Sequence, residues 1–191
     1  MTGLEEARAA LRARQGDGAR YDAPDAPAKS LHLARRGVAY LARIVNGLSD
    51  SDLLCPSARA GWSRRRIIAA NALQAREIAQ ALEDAAGQKG DRAETGLEAL
   101  DLAETLPARA LRHLASHADI HLNVVWRDLS DAEWNLPVAL SAGTIPARAT
   151  AALRADLLWR DALDLAAGGR LRDVPDEIRD MINAAPAAQT V

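Results

Sequence analysis

Phenylalanine is absent from this 191-residue chain, aromatic residues make up 3% of it, and there is a single cysteine, Cys55. With aromatics scarce, and valine and isoleucine sparse beside alanine and leucine, the residues that furnish most strand faces are missing. Ala, Leu, Arg and Glu lose least on entering a helix, so helix is strongly favoured over sheet. One cysteine excludes an intramolecular disulfide and no apolar leader follows the N-terminus, so a cytoplasmic location is expected. No apolar run approaches the roughly 20 residues that span a bilayer. Twenty-four basic and twenty-six acidic residues give a formal charge of -2, which leaves no global field to hold nucleic acid or an anionic membrane. A phosphate loop, a dinucleotide fingerprint, a paired-cysteine motif and a glycine-flanked serine elbow are also lacking.

What is present is amphipathic helix. A chain of this length buries one sizeable core, and the composition divides it into an N-terminal helix and linker over 1–29, a bundle over 30–185 and a disordered tail over 186–191. Residues 4–14 predict a short helix, apolar at Leu4, Ala7 and Leu11, followed by a Gly/Pro-rich linker over 15–29. Ser30 is a candidate cap for the first long helix, with Leu31, Ala34, Val38, Leu41 and Val45 at three- and four-residue steps. After Gly61-Trp62, Ser63 caps a second long helix reaching about Ala86, whose inward stripe is Ile67, Asn71, Gln74, Ile78 and Leu82. Two amides therefore interrupt an apolar face, and a buried amide is costly unless hydrogen-bonded.

Residues 87–104 are polar and uneven, with at most one helical turn. Thr105 and Pro107 predict the start of a third long helix, with Leu111, Leu114, Ala118, His121 and Val125 in one stripe. A loop over 130–146 can carry a small hairpin. A fourth helix follows, apolar at Leu153, Leu157, Leu158 and Leu165 and ending at Gly168-Gly169, and Asp173 caps a last short helix. Four long helices predict an all-α four-helix bundle with a long crossover, in which a site is built from inward side chains. Amphipathic faces are also compatible with a homodimer.

Three groups of residues could carry chemistry. His113, His117 and His121 lie four apart on the third helix. Two such imidazoles can chelate one ion, but a third, about 12 Å along the axis from the first, cannot join them. His121 reads as a hydrogen-bonded core histidine, and a metal pair at His113 and His117 is the alternative. Cys55, before Pro56, carries no nucleophile signature and reads as inert. The run Arg64-Arg65-Arg66 reads as a solvated first helical turn, set against the helix dipole, that could hold an anion.

Gly61-Trp62-Ser63-Arg64, Leu106-Pro107-Ala108-Arg109-Ala110-Leu111-Arg112, His121-Leu122-Asn123-Val124, Trp126-Arg127-Asp128-Leu129, then Arg154, Trp159, Asp164-Leu165-Ala166-Ala167-Gly168 and Asp173-Val174-Pro175 follow one another in order. Together, over about residues 19–185, they resemble the mycothiol-dependent maleylpyruvate isomerase family of the DinB-like superfamily. The resemblance implies a DinB-like bundle, a divalent metal in active members, and thiol-assisted cis-to-trans isomerisation of maleylpyruvate to fumarylpyruvate in gentisate breakdown. The extra C-terminal domain of some members is not expected here.

In that family the metal is held by a His on the second helix and by a Glu and a His four residues apart on the fourth. Matched motif by motif, these positions fall on Ala70, Leu157 and Asp161. No metal is therefore expected, and Ala70 and Leu157 should turn the pocket into ordinary core. Asp161 then needs a new partner, an arginine or histidine of a facing helix or the amides of Asn71 and Gln74. The expected remnant is a small polar pocket of Asn71, Gln74, His121 and Asp161, with Arg154 as a further candidate and no catalytic residue assigned. A degenerate member that binds a small molecule or partner is one reading. The other is an active isomerase or related transferase with a relocated site, using zinc and a low-molecular-weight thiol, mycothiol or glutathione.

Overall fold

The structure, a computed structural model, describes residues 21–88 and 92–184. The predicted helix over 4–14 and the tail over 186–191 lie outside these residues. Four long helices, α1 (Ala28–Gly47), α2 (Arg64–Ala85), α4 (Ala108–Asp128) and α5 (Ala147–Asp164), form the bundle, with two shorter ones, α3 (Leu97–Glu104) and α6 (Asp176–Ala184). An antiparallel hairpin of β1 (Pro137–Leu140) and β2 (Gly143–Pro146) precedes α5, pairing Val138 with Ile145. The fold is the all-α, DinB-like bundle with a small hairpin.

Most contact in the bundle is between α2 and α4 and between α1 and α5; the α2–α5 interface is smaller and the α1–α4 interface the sparsest of the four. The helices of the pairs α1/α2 and α4/α5 therefore stand diagonally, and the 129–146 connection carrying the hairpin crosses the bundle. Gly37 sets the closeness of α1 to α5, since a Cβ there would stand 3.0 Å from Leu158 Cβ. Trp159 donates its indole N–H to Leu33 O at 3.1 Å, and Tyr40 stacks on the same ring at 4.9 Å.

The start of α2 follows from local chemistry. Ser63 Oγ accepts the Arg66 amide at 3.0 Å and donates to Glu104 Oε1 at 2.6 Å, so one hydroxyl caps α2 and ties it to the end of α3. Burial opposes the Glu104 charge, yet Ser63 and Arg66 hold its carboxyl below the ordinary range. Ser63→Ala is expected to cost about 1–2 kcal/mol, the upper part of the range for a cap, measured by urea denaturation; a loss below a few tenths would mean the cap is replaceable.

Other boundaries differ from expectation. α1 begins at Ala28 after Pro27, without a side-chain cap, so Ser30 lies inside the helix. α3 is eight residues long instead of one turn. Thr105 Oγ1 donates to Leu102 O at 2.7 Å and closes α3; α4 starts after Pro107 with no side-chain cap. The buried stripe of α4 is Leu111, Leu114, Ala118, Leu122, Val125 and Trp126, with His121 turned to the flank. Leu158 of α5 and Leu165 just after its end are buried, whereas Leu153 and Leu157 are half-buried. Asp173 accepts the Tyr40 hydroxyl at 2.8 Å.

The three consecutive arginines are not a solvated turn. Arg64 donates to Leu165 O at 2.9 Å and Ala166 O at 2.7 Å, carbonyls at the end of α5, where Ala166 has φ 49°. Arg65 donates to Glu104 O at 2.7 Å and to Leu106 O, and Arg66 pairs with Asp101 and Glu104, each at 2.8 Å. Each cation opposes the dipole of its own helix, but Arg64 and Arg65 meet the negative ends of α5 and α3, where positive charge is favoured.

Candidate functional site

A line of polar side chains crosses the apolar interior of the bundle, and α5 supplies its two charged anchors. Arg154 and Asp161 lie seven residues apart, two turns on one face, and are 1% and 4% exposed. Groups so buried require partners. Arg154 donates through Nη1 to Asn71 O at 2.9 Å and Gln74 Oε1 at 2.7 Å, and through Nη2 to Asn71 Oδ1 at 2.6 Å and Asp119 Oδ1 at 2.7 Å. Asn71 uses its other end on Asp161, Nδ2 donating to Oδ2 at 2.7 Å. Its amide orientation is thereby set from both sides.

Asp161 Oδ1 accepts from Arg59 Nη2 at 2.8 Å, and the same nitrogen reaches Asp164 Oδ2 at 2.8 Å. Arg59 comes from the 48–63 connection, and its guanidinium lies over the Trp62 ring at 4.7 Å; Arg66 lies over that ring at 5.1 Å. Burial pushes the Asp161 carboxyl above the ordinary carboxylate range, against Asn71 and the two arginines. For Arg59 burial works against the charge, and the Asp161 and Asp164 carboxylates outweigh it, so its pKa is raised. The result is an alternating line, Asp119, Arg154, Asn71, Asp161, Arg59 and Asp164.

The structure thus brings Asn71, Gln74, Arg154 and Asp161 together. His121 is elsewhere: its Nε2 lies 2.8 Å from Glu83 Oε1 on the flank, its side chain 37% exposed. Glu83 follows Asn71 by twelve residues on α2, about 18 Å along the axis, so His121 cannot share a pocket with Asn71. His113 and His117 are exposed and stacked, ring centroids 6.1 Å apart. Cys55 Sγ lies 3.9 Å from Ser51 O, a loop contact. Two members of the line, Arg59 and Asp119, belong to none of the motifs read from the sequence. Asp119 shares the α4 surface with Ser116 and Asn123 and could have been read from that polar stripe.

The residues present do not fit a divalent ion at the family's positions. Ala70 and Leu157 have no donor atom and are half-buried instead of forming ordinary core. Asp161 offers two oxygens, and both already receive N–H groups, from Asn71 and Arg59. Among the described residues no group of three or more His, Cys, Asp or Glu could hold a metal ion. Beside the polar line, a groove of about 430 Å³ opens between α1 and α4, with Asn71 and Arg154 among its lining residues.

A family model described as the mycothiol maleylpyruvate isomerase N-terminal domain matches residues 34–166. Two crystal structures are similar to the chain, those of the mycothiol-dependent maleylpyruvate isomerase, at 28% identity, and of a histidine-to-alanine mutant, at 29%. Each superposes with a TM-score of 0.72 over 80% of this chain, which spans 65% of the length of either relative. No curated protein matches the sequence.

Proposed function

Because the chain belongs to the mycothiol maleylpyruvate isomerase N-terminal domain family, we propose that it is an isomerase-like member in which a fixed Arg59–Asp161–Asn71–Arg154 network has replaced the metal site. It would bind a small molecule without metal-dependent isomerisation. One observation carries this reading: at the three expected ligand positions stand Ala70, Leu157 and an Asp161 whose oxygens are held by Arg59 and Asn71. The positive charge that a divalent ion would bring to Asp161 is supplied by the Arg59 guanidinium. That charge belongs to the fold and cannot exchange its partners for substrate and thiol.

The resemblance implies a divalent metal in active members; among the described residues no group of three or more His, Cys, Asp or Glu side chains is placed to hold one. A relocated centre would need His113, His117 or His121 to converge with a further ligand. Two of them face solvent, and the third is engaged by Glu83. The lone Cys55 fits a reducing compartment, so the cytoplasm is the proposed location. No nucleic-acid partner is proposed, since the densest basic run, Arg64 to Arg66, is used on helix ends and carboxylates.

The test is metal analysis of protein purified without chelator, with maleylpyruvate assayed in the presence of mycothiol or glutathione. Zinc well below one per chain and no isomerisation above background are expected. Stoichiometric zinc with turnover would establish the active alternative.

A further inference from the structure

The network described above leaves the groove between α1 and α4 without a role. Along α1 its wall is Val38, Leu41, Ala42 and Val45, flanked by Arg35 and Asn46. Those two flanking residues are eleven positions apart, about 16 Å along the helix. Across the groove Ile120 and Trp126 of α4 continue the apolar wall, and the 62% exposure of Ile120 places it at the lip. The lining is elongated, apolar in the middle and cationic, with Arg35, Arg112 and Arg154 against one carboxylate, Asp119.

The three arginines differ in what an incoming anion could take from them. Arg154 is buried and held by Asp119, Asn71 and Gln74. Arg35 is held on both terminal nitrogens by Asp22, at 2.6 and 2.7 Å, and through Nε by Asn123. Arg112 donates through Nη2 to Leu48 O at 2.7 Å, which fixes its plane, and through Nη1 to Asp50, whose side chain is 76% exposed. An ion pair that open to water contributes little, so a ligand carboxylate can replace Asp50 there. Ser116, one turn from Arg112 on the same face of α4, lines that end of the groove, as does Asn46 from α1; neither side chain has a hydrogen-bond partner among the described residues.

We propose that this groove is a binding site for a monocarboxylic acid with an apolar body, its carboxylate at Arg112, Ser116 and Asn46 and its hydrocarbon along Val38, Leu41 and Val45. The inference rests on the small-molecule reading above and names the ligand class. The site is separate from the replaced metal positions, none of which lines it.

Octanoate is the probe, titrated calorimetrically into the full chain beside octanol and octylamine. Octanoate should bind about tenfold or more tighter than either, the scale of one charge-assisted hydrogen bond. Arg112→Gln should weaken octanoate by about the same factor and leave octanol unchanged. Ala42→Trp should abolish binding of both while the far-UV spectrum and melting curve stay native. Equal affinity for acid and alcohol, unmoved by Arg112→Gln, would overturn the acid assignment while leaving the small-molecule reading intact. No binding of any probe, or binding indifferent to Ala42→Trp, would overturn the site. Octanoate affinity that falls as sedimentation reports a dimer would assign the groove to a second copy. Zinc content and isomerisation, which decide the degenerate reading, do not depend on any of these results.

Discussion

Arg154→Ala is expected to lower folding stability by about 3–5 kcal/mol, the cost of removing one partner from a buried charged network. The guanidinium is 1% exposed and serves four acceptors on three residues, Asn71 O and Oδ1, Gln74 Oε1 and Asp119 Oδ1. Truncation leaves the Asp119 carboxylate without its cation and the amide oxygens facing a void. Water entering that space can recover part of the loss but cannot restore the planar fork. Arg154→Lys should therefore fall between wild type and alanine, because an ammonium has three donors on a single nitrogen and cannot span acceptors on α2 and α4 together. Urea denaturation measures this as a lower midpoint with an unchanged slope. A loss within about 0.5 kcal/mol, ordinary for a surface arginine, would mean that the network is incidental to the fold.

Local features were legible in the sequence to the extent that their causes were local. Ser63 is read correctly because the amide it accepts lies three residues away. The hairpin is read from Pro137, Gly143 and Pro146 in a loop of the right length. Thr105 is misread because a threonine two residues before a proline suits the end of one helix as well as the start of the next. The α4 register goes wrong at one step: from Ala118 the apolar stripe can continue at His121 or Leu122. The packing of Trp126 one turn after Leu122 settles it, and that depends on tertiary contact with Thr150, whose hydroxyl accepts the Trp126 indole N–H at 3.0 Å.

Arg64 to Arg66 look solvated in sequence because what they bind includes main-chain carbonyls at helix ends, which no residue type marks. Arg59 is the hardest case. It is a loop residue whose carboxylates lie 102 and 105 positions away, and no periodicity joins them. The empty ligand positions at Ala70 and Leu157 are legible only through the family register; the partner that stabilises Asp161 required the fold.

Arg59→Met is expected to make stability fall with rising pH more steeply than in wild type, with a deficit of about 1–3 kcal/mol near neutrality. The Arg59 side chain is 32% exposed, so water can replace part of what is lost, which places the figure below that for Arg154. The sign follows from Asp161. Burial already raises its folded pKa above the unfolded value, and removing the adjacent guanidinium raises it further. A group shifted upward gives stability that is fully present below its unfolded pKa and is lost as pH rises through the folded one. The deficit should thus be small near the ordinary aspartate pKa of about 4 and grow toward pH 7. Asp161→Asn added to Arg59→Met should flatten the curve, since its amide oxygen can still accept from Asn71 Nδ2 while the buried position no longer titrates. Urea midpoints at both ends of that window, for wild type and the two variants, decide the matter. An equal deficit at both ends would locate the role of Arg59 in its stacking on Trp62, 4.7 Å from the ring, and not in the charge of Asp161.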